Sequence, residues 1–443
     1  MFTPRMESAN RADLYEMQTI LLKQTVKTVY QDVTFYKAKF DDLGIKPEQI
    51  NTLSDLKKLP FTTKQDLRDH YPFGLLAVPK EKLARIHASS GTSGKPTVVG
   101  YTAQDLRNWS EMVSRTIVAA GGKSTDLIHN AYGYGLFTGG LGLHAGIEAL
   151  GAATIPISSG NTERQLLVLQ DFQPQGICAT PSYMVHLTEK LIKKGIDPQS
   201  IGLRYGIFGA EPWSEGMRKK LERLLGIKAV DIYGLSEVMG PGVASECHEA
   251  QDGLHIAEDH FITEVIDPIT LEPVEEGEYG ELVFTSLTKE AMPIIRYRTG
   301  DVAALRTDSC HCGRTLARMT RVKGRTDDML IIRGVNVFPS ELERVLLEAM
   351  NLAPHYQIYR TTKASMEEVR IHIEIDELFY MQVGADLAHP LVKNLKATVV
   401  EQIKSTCLVS VDLMIEKPGV IPRSEGKALR VIDQRKNAAK GVV

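Results

Sequence analysis

Between residues 126 and 233, short apolar stretches alternate with longer segments of helical periodicity. The strand-like stretches span 126–130, 153–157, 176–179, 205–208 and 230–233. This alternation is the strongest constraint on the fold, because strands separated by helices pair in parallel within one sheet whose faces the helices cover. The pattern predicts a layered α/β domain around a largely parallel sheet. Ligands of such sheets bind beyond the carboxyl ends of the strands.

Two further regions follow along the chain. From residue 253 to about residue 322, β-rich stretches alternate with turn signals, which predicts an antiparallel β subdomain. The last part of the chain is typical of a compact α+β domain. A chain of 443 residues is too long for one ordinary core. We therefore expect a large multi-layer N-terminal α/β domain over 1–326 and a small, mobile C-terminal α+β domain over 327–443.

Charge and composition exclude several classes of protein. The net charge of −3 provides no electrostatic reason to bind nucleic acid or an acidic membrane surface. Residues 1–10 lack the basic start and apolar centre of a signal peptide, and no apolar run is long enough to span a bilayer. Five cysteines, an odd number, do not suggest a disulfide framework. We expect a cytoplasmic protein that binds neither nucleic acid nor membrane.

The stretch 89–97, SSGTSGKPT, is typical of a phosphate-binding loop. Its glycines allow the backbone to approach a ligand closely, and its N–H groups and hydroxyls can point at phosphate oxygens while Lys95 adds positive charge. It is not a Walker A loop, because its glycines are too close together and Pro96 stands where that motif needs Ser or Thr. In isolation, a flexible turn between two strands is the simpler interpretation.

Further unusual segments follow the predicted strands or lie near the C-terminus. They are AYGYGLFTGG at 131–140, GAEPW at 209–213, YGLSE at 233–237, YRTGD at 297–301, GRTDDMLIIRGVNVFP at 324–339 and RSEGKALR at 423–430. Together with the glycine-rich loop, these ordered motifs resemble the acyl-adenylate-forming superfamily of acyl-CoA synthetases, adenylation domains and luciferases. The chain is most similar to the phenylacetate–CoA ligase branch, which also reaches its phosphate loop early in the sequence.

The resemblance implies an ATP-dependent aryl-acetate:CoA ligase with two half-reactions. A carboxylate would attack the α-phosphate of ATP, giving an acyl-adenylate and pyrophosphate. The thiol of coenzyme A would then displace AMP and form the thioester. Adenylation is needed because hydroxide is a poor leaving group, whereas AMP is a good one. ATP, Mg²⁺ and coenzyme A are the implied small molecules.

The resemblance also implies roles for residues at matching positions. Lys427 would reach the bridging oxygen whose charge changes most during adenylation, Glu237 would coordinate magnesium, and Thr92 would hold phosphate oxygens. The hinge between the two domains matches Asp327. The implied nucleotide-binding residues are Ser89, Ser90, Gly91, Thr92, Ser93, Gly94, Lys95, Gly209, Ala210, Glu211, Asp231, Tyr233, Gly234, Ser236, Asp301 and Arg325. Taken singly, Asp301 is an ordinary turn residue, Lys427 a surface lysine and Glu237 a solvated or capping residue.

The acyl group would bind against aromatic and small residues near the strand ends. The candidate wall consists of Tyr132, Tyr134, Gly135, Phe137, Ala179 and Pro241. Flat aromatic rings flanked by glycine suit a planar aryl ring, and ligand pockets are mostly apolar with a few polar groups. Packing of the tyrosines in the core is the alternative. A short N-terminal region leaves less wall around the pocket, and the resemblance therefore implies a homodimer.

Two other functions remain open. An adenylating enzyme could pass the acyl or AMP group to a carrier protein or another acceptor, such as a deazaflavin cofactor. A nucleotide-binding regulator could have kept the fold and lost catalysis, although the presence of Lys427, Glu237 and Asp301 argues against it.

A cluster of sulfur and imidazole residues predicts a structural metal site. The segment CHCG at 310–313 places two thiols one residue apart on a turn, and a turn at 252–253 can fold His255 back toward Cys247. Four soft ligands in a tetrahedral array suit zinc. We predict that the zinc ligands are Cys247, His255, Cys310 and Cys312. Reduced cysteines without a metal are the alternative.

Overall fold

A computed structural model of the protein describes residues 1–89, 96–326, 330–332, 335–363, 366–423 and 430–434. The chain forms two compact units, each built from several segments. The first unit contains Met1–Ala179, Gln199–Ala210 and Gly226–Val322, and the second contains Thr180–Pro198, Glu211–Leu225 and Lys323–Val443. The predicted boundary at 326/327 stays a prediction, because residues 327–329 lie outside the described residues.

The α-helices of the described residues are spread along both units. They are α1 (Pro4–Glu7), α2 (Arg11–Asp32), α3 (Thr34–Asp42), α4 (Lys64–Asp69), α5 (Ala103–Ala119), α6 (Thr138–Leu150), α7 (Thr162–Phe172), α8 (Pro181–Lys193), α9 (Glu215–Leu225), α10 (Pro339–Glu348), α11 (Glu377–Gln382) and α12 (Pro390–Cys407). Short 3₁₀ helices occupy Pro47–Gln49, Leu53–Lys58, Lys80–Lys82 and Pro198–Ile201. None of the described helices is long and apolar enough to cross a membrane.

The strands fall into several sheets. In the first half of the chain they are β1 (Arg85–Ala88), β2 (Val98–Tyr101), β3 (Leu127–Asn130), β4 (Ala153–Ile155), β5 (Gly176–Ala179), β6 (Tyr205–Gly209), β7 (Lys228–Leu235), β8 (Gly240–Ser245), β9 (Leu254–Ile256) and β10 (Phe261–Ile266). The later strands are β11 (Gly280–Ser286), β12 (Tyr297–Ala303), β13 (Leu305–Arg306), β14 (Arg318–Met319), β15 (Gly324–Arg325), β16 (Leu330–Ile332), β17 (Val335–Val337), β18 (Leu352–Lys363), β19 (Met366–Ile375), β20 (Asp412–Glu416) and β21 (Val431–Asp433).

A nine-stranded sheet organises the first unit. Its strand order is β13-β14-β9-β8-β7-β6-β5-β3-β4. The five strands at one end of this order, β7, β6, β5, β3 and β4, pair in parallel. Strands β5 and β6 are buried along their whole length, as expected for strands covered on both faces. The predicted α/β fold is therefore confirmed. The parallel pairing brings the carboxyl ends of β3, β5, β6 and β7, and the motifs that follow them, to one edge of the sheet.

The β-rich region divides between two sheets, which is a departure from the expected single subdomain. Strands β9, β14 and β13 continue the nine-stranded sheet through antiparallel pairing with β8. Strands β10, β11 and β12 pair antiparallel with one another in a separate sheet. The physical reason is that β8 turns back antiparallel on β7 and so offers its free edge to β9. A pattern of local turns does not indicate which edge a strand will join.

The N-terminal helix is also shorter than its periodicity predicts. A single amphipathic helix over 11–40 is expected, but α2 ends at Asp32 and α3 begins at Thr34. Val33 between them is extended, with φ −117° and ψ 103°. The adjacent β-branched residues Val33 and Thr34 weaken helix propensity at this point.

Thr102 followed three residues later by Asp105 predicts a capping box, and helix α5 begins there. The Asp105 N–H donates to the Thr102 hydroxyl over 3.1 Å, and the Thr102 N–H donates to the Asp105 carboxylate over 2.9 Å. The same carboxylate accepts the N–H groups of Glu290 and Ala291 at 2.6 and 3.0 Å. The start of α5 therefore also holds the connection between β11 and β12.

The second unit contains a four-stranded sheet with the order β20-β19-β18-β21. Strands β18 and β19 form a long antiparallel hairpin, whereas β20 and β21 pair in parallel with its two strands. Apolar side chains of α10, α12 and this sheet form one core. The mixture of helices and a mixed sheet agrees with the predicted α+β character of the C-terminal part of the chain.

Candidate active site

The glycine-rich stretch 89–97 connects two paired strands. β1 and β2 are antiparallel, with Ala88 opposite Val98. The Ser89 N–H donates to the Thr97 carbonyl over 2.9 Å, and the Thr97 N–H donates to the Ser89 hydroxyl over 3.3 Å. Ser89 and Thr97, at the two ends of the stretch, are therefore hydrogen-bonded to each other. The predicted site residues Ser90, Gly91, Thr92, Ser93, Gly94 and Lys95 lie outside the described residues, as do Asp327 and Lys427.

The end of β7 and the middle of β12 bring two predicted nucleotide-binding residues together. The Tyr233 hydroxyl donates to Oδ2 of Asp301 over 2.7 Å. Asp301 is only 5% exposed, and its N–H donates to the Thr299 hydroxyl over 2.9 Å. The Tyr233 ring is stacked with Phe284, with a distance of 6.1 Å between ring centroids. Tyr233 therefore makes both a packing contact with Phe284 and a polar contact with Asp301, another residue predicted to bind the nucleotide.

The turn that carries Ser236 and Glu237 is held from several sides. The Tyr101 hydroxyl donates to the Met239 carbonyl over 2.6 Å and to the Ser236 carbonyl over 3.3 Å. The hydroxyls of Ser236 and Thr138 are 3.0 Å apart. Glu237 itself is 6% exposed. A buried carboxylate on a fixed turn is a suitable magnesium ligand, because Mg²⁺ prefers carboxylate and phosphate oxygens.

Lys289 supports the same turn and was missed by the sequence analysis. Its ammonium donates to the Val238 carbonyl over 3.2 Å and to the Glu237 carbonyl over 3.3 Å, and lies 4.8 Å from the centre of the Tyr101 ring. Burial lowers the pKa of Lys289 to about 8, although the carboxylates of Asp105 and Glu237 favour its charged form. The sequence feature that could have identified it is a lysine in the short connection between strands β11 and β12.

Small residues at the end of β6 and in β7 allow backbone segments to meet. A Cβ at Gly209 would clash with the Ile232 carbonyl, and one at Gly234 would clash with the Gly240 carbonyl. Ala210 has a φ of +67°, a conformation uncommon for a residue with a side chain. The two close approaches account for glycine at positions 209 and 234 without reference to a ligand, whereas nothing in the backbone conformation explains alanine at position 210.

Asp231 lies in a charged group rather than alone. Its N–H donates to the Glu246 carboxylate over 2.8 Å, and its own carboxylate is 3.7 Å from the Arg321 guanidinium.

Two predicted nucleotide-binding residues lie in the second unit. The Glu211 carboxylate accepts the Ser182 N–H over 2.8 Å. Arg325, also in the second unit, is half-buried in β15.

The candidate acyl wall divides into buried and exposed members. Tyr132 is buried, and its hydroxyl donates to the Ala179 carbonyl over 2.7 Å. The Tyr134 hydroxyl accepts a hydrogen bond from the Asn130 amide over 2.8 Å, and burial raises the pKa of Tyr134 to about 12. Gly135 is exposed, and Phe137 is 41% exposed.

A group of aromatic rings behind Pro241 was not identified from the sequence. The Trp109 indole N–H donates to the Pro241 carbonyl over 2.9 Å. Trp109 is stacked with Tyr101, and His87 meets both rings edge-on. Burial lowers the pKa of His87, which favours the neutral imidazole. Aromatic residues spaced along a helix and two strands have no common sequence pattern that would have revealed this group.

The four predicted zinc ligands also converge. The ligand atoms of Cys247, His255, Cys310 and Cys312 all lie within 4.8 Å of one another.

Comparison with known proteins finds two family models that match the chain in tandem. The model for AMP-binding enzymes matches residues 10–288, and the model for the AMP-binding enzyme C-terminal domain matches residues 334–435. The chain is 52% identical to the phenylacetate-coenzyme A ligase of Escherichia coli over 431 residues, covering 97% of each chain. It is 49% identical to the phenylacetate-coenzyme A ligase of Thermus thermophilus over 444 residues, covering 98% of this chain and all of the other.

Solved structures agree with these matches. A 2-hydroxyisobutyryl-CoA ligase in the postadenylation state, in complex with 2-HIB-AMP, superposes with a TM-score of 0.91 and 28% identity, covering 99% of this chain and 93% of the other. An anthranilate CoA ligase in complex with anthranoyl-AMP has a TM-score of 0.60 and 17% identity, covering 81% and 68% of the two chains, and so shows similarity of fold alone.

Proposed function

Because the chain belongs to the phenylacetate–coenzyme A ligases of the AMP-binding enzyme family, which are AMP-forming acid–thiol ligases, we propose that it joins phenylacetate or a close relative to coenzyme A. ATP would be split to AMP and pyrophosphate, and an aryl acyl-adenylate would be the intermediate. The single observation that best supports this function is the contact between Tyr233 and Asp301, which joins the YGLSE and YRTGD motifs.

The geometry around this contact is suited to holding a nucleoside. One oxygen of the Asp301 carboxylate accepts the Tyr233 hydroxyl. A carboxylate can accept several hydrogen bonds, and we propose that ribose hydroxyls are among the donors to Asp301 when the nucleotide binds. An ionised carboxylate makes hydrogen bonds roughly twice as strong as those between neutral groups. The nucleotide-binding residues named from the sequence, including the stretch 89–95, would complete the site.

Magnesium, when bound, neutralises charge on the phosphates and so favours attack by the substrate carboxylate. Glu237 would hold it, since its carboxylate is buried on a turn fixed by Tyr101 and Lys289. Lys427 would stabilise the transition state of adenylation, and Asp327 would act as the hinge between half-reactions. The zinc predicted from the sequence has no part in this chemistry. The homodimer and the cytoplasmic location remain predictions.

The aryl group would lie near Tyr132, Tyr134 and Pro241. The Tyr132 hydroxyl is already bonded to the Ala179 carbonyl, so this residue would offer its ring rather than its polar group. Tyr134 is half-buried. Its hydroxyl accepts the Asn130 amide and lies 3.2 Å from Nδ1 of His144, which leaves it the capacity for one further hydrogen bond, to a ring substituent. This arrangement favours a flat ring with at most a small polar substituent.

The decisive experiment is carboxylate-dependent exchange between ATP and pyrophosphate, across a panel of phenylacetate, hydroxyphenylacetates, indoleacetate and benzoates, with and without coenzyme A. We expect phenylacetate or a close relative to drive exchange and to yield a thioester when coenzyme A is added. Exchange without a thioester would favour transfer to a carrier protein or another acceptor. Nucleotide binding without any exchange would favour a non-catalytic regulator.

Two variants separate the half-reactions. Lys427→Ala should abolish adenylate formation yet leave thioester formation from a supplied acyl-adenylate largely intact.

Asp327→Pro fixes φ at the proposed hinge, so adenylation should survive while thioester formation collapses. Equal loss of both half-reactions in either variant would contradict the role proposed for that residue.

A further inference from the structure

Four side chains that could bind a metal meet at the antiparallel end of the nine-stranded sheet. Cys247 follows β8, His255 lies in β9, and Cys310 and Cys312 belong to the connection between β13 and β14. The sulfur atoms of Cys247 and Cys310 are 3.7 Å apart, and the sulfur of Cys312 is 3.5 Å from Nε2 of His255. Three of the four residues are buried, and Cys312 is half-buried.

These distances match the edges of a zinc coordination tetrahedron. With Zn–S near 2.3 Å and Zn–N near 2.0–2.1 Å, tetrahedral angles place two sulfurs roughly 3.8 Å apart and a sulfur and a nitrogen roughly 3.6 Å apart. Cys247 and Cys310 are not joined by a disulfide in this structure, because that bond requires about 2.05 Å between the sulfurs. We propose that Cys247, His255, Cys310 and Cys312 bind one structural zinc ion.

The local backbone prepares this arrangement. The Gly313 N–H donates to the Cys310 carbonyl over 2.9 Å, and Gly313 has a φ of +82°, so a tight turn carries both thiols of the CHCG segment. Pairing of Ser245 with His255 across β8 and β9 sets Cys247 beside the imidazole. The ligands therefore come from strand β9, from the residues directly after its partner β8 and from a closed turn, which restrict the geometry before any metal binds.

The metal would stabilise the surface against which residues 1–9 pack. Directly after the CHCG turn, the Arg314 guanidinium donates to the Glu7 carboxylate over 2.7 Å, and both side chains are almost fully buried. The Thr315 hydroxyl donates to the Ala9 carbonyl over 2.6 Å. By tying residues 310–312 to the sheet, zinc would hold the surface on which residues 1–9 pack. Its role is therefore structural.

A second cluster of potential metal ligands among the described residues does not suit a metal ion. Glu111, Asp259 and His260 also place ligand atoms within 4.8 Å of one another. However, the Arg115 guanidinium donates to both oxygens of Asp259 at 2.8 and 2.7 Å and to Glu111 at 2.6 Å. The guanidinium already occupies these carboxylate oxygens and offsets one of their two negative charges, and we assign no metal there.

The test is metal analysis of the full chain purified without chelator, without a polyhistidine tag and without added zinc. We expect about one zinc per chain, as for a four-ligand structural site. The stoichiometry should fall to near zero in Cys310→Ser and Cys312→Ser. His311→Ala is the matched control, because His311 lies in the same turn but is exposed and outside the cluster, and it should retain the metal.

Two further measurements keep the outcome clear if a cysteine variant fails to fold. Replacement of the metal by Co²⁺ in the unaltered protein should give the visible absorption of a tetrahedral site rich in thiolate. Removal of the metal with a chelator should increase proteolysis within residues 1–9 and 307–317. Metal-free protein with unaltered melting on chelation, and no cobalt spectrum, would overturn the proposal.

Discussion

The hydroxyl of Tyr233 lies 2.7 Å from Oδ2 of Asp301, and this contact joins two motifs that are 68 residues apart in the chain. It fixes one carboxylate oxygen of Asp301 and orients the other. The same tyrosine packs its ring against Phe284. The pair is therefore a rigid unit in which a change to either residue has a distinct expected effect.

Removing only the hydroxyl should weaken nucleotide binding modestly. Tyr233→Phe keeps the ring contact and loses one hydrogen bond, so kcat/KM for ATP should fall by about fivefold, the equivalent of about 1 kcal/mol. Asp301→Asn removes the charged acceptor itself and should lower kcat/KM for ATP by roughly 10- to 100-fold. Steady-state kinetics with varied ATP checks both values.

A matched control is available for the tyrosine change. The Tyr205 hydroxyl also donates to a carboxylate, that of Asp126 at 3.2 Å, at the opposite end of the parallel strands. Tyr205→Phe should lower the melting temperature while leaving KM for ATP unchanged. A similar rise in KM in both tyrosine variants would mean that Tyr233 acts through general stability.

Lys289 should make stability rise with pH in a defined range. Its pKa is about 8 in the folded protein, below the ordinary 10.5. Between these values the unfolded chain holds a proton that the folded protein has released, so stability increases as pH rises from 8 to 10.5. Lys289→Met should remove this part of the pH dependence. Chemical unfolding of both proteins from pH 7 to 10.5 provides the measurement.

The same variant tests support of the Glu237 turn. Without the ammonium, the carbonyls of Glu237 and Val238 lose a hydrogen-bond donor. We expect a higher Mg²⁺ concentration for half-maximal adenylation and little change in KM for coenzyme A. An unchanged magnesium dependence would show that the lysine stabilises the fold only.

Glu343 in α10 should have the opposite pH signature. Burial, together with the nearby Glu211 carboxylate, raises its pKa to about 7 from the ordinary 4.5, although Arg430 opposes the shift. Between pH 4.5 and 7 the folded protein holds a proton that the unfolded chain lacks, so stability falls as pH rises through this range. Glu343→Gln should therefore raise the melting temperature at pH 8 and leave it nearly unchanged at pH 4.

The control for this variant is Glu348→Gln, since Glu348 lies in the same helix but is exposed. It should change the melting temperature little at either pH. If the two variants behave alike at pH 8, the buried carboxyl is not the source of the pH dependence.

Features of the structure that follow from local sequence patterns could be predicted, whereas features that depend on tertiary contacts could not. The alternation of strands and helices predicts the parallel sheet, and the spacing of cysteines and histidine predicts a group whose ligand atoms meet across 57 to 63 residues. Lys289 escaped prediction because its partners are backbone carbonyls, which have no side-chain signature. The same limit applies to the choice of sheet edge by β9, which depends on tertiary pairing.

Helix α6 shows how packing can override local propensity. The periodic apolar pattern predicts a helix only over residues 141–150. The structure begins the helix at Thr138. Glycine lowers helix propensity, but here the absence of side chains lets α6 approach α5, where a Cβ at Gly142 would overlap the Trp109 ring.

That contact leads to a prediction about the acyl site. Gly142→Ala should force the Trp109 ring to move and cost about 1–3 kcal/mol of stability, as overpacking does. Because the Trp109 N–H donates to the Pro241 carbonyl, the displacement should reach the proposed acyl wall and raise KM for the carboxylate more than KM for ATP. Thermal unfolding and steady-state kinetics with each substrate check the two effects.

The double variant Gly142→Ala/Trp109→Phe has a smaller ring at position 109. The two substitutions together should therefore destabilise the protein less than the sum of their separate effects. Strict additivity of the two changes would show that the glycine and the tryptophan do not act through their contact.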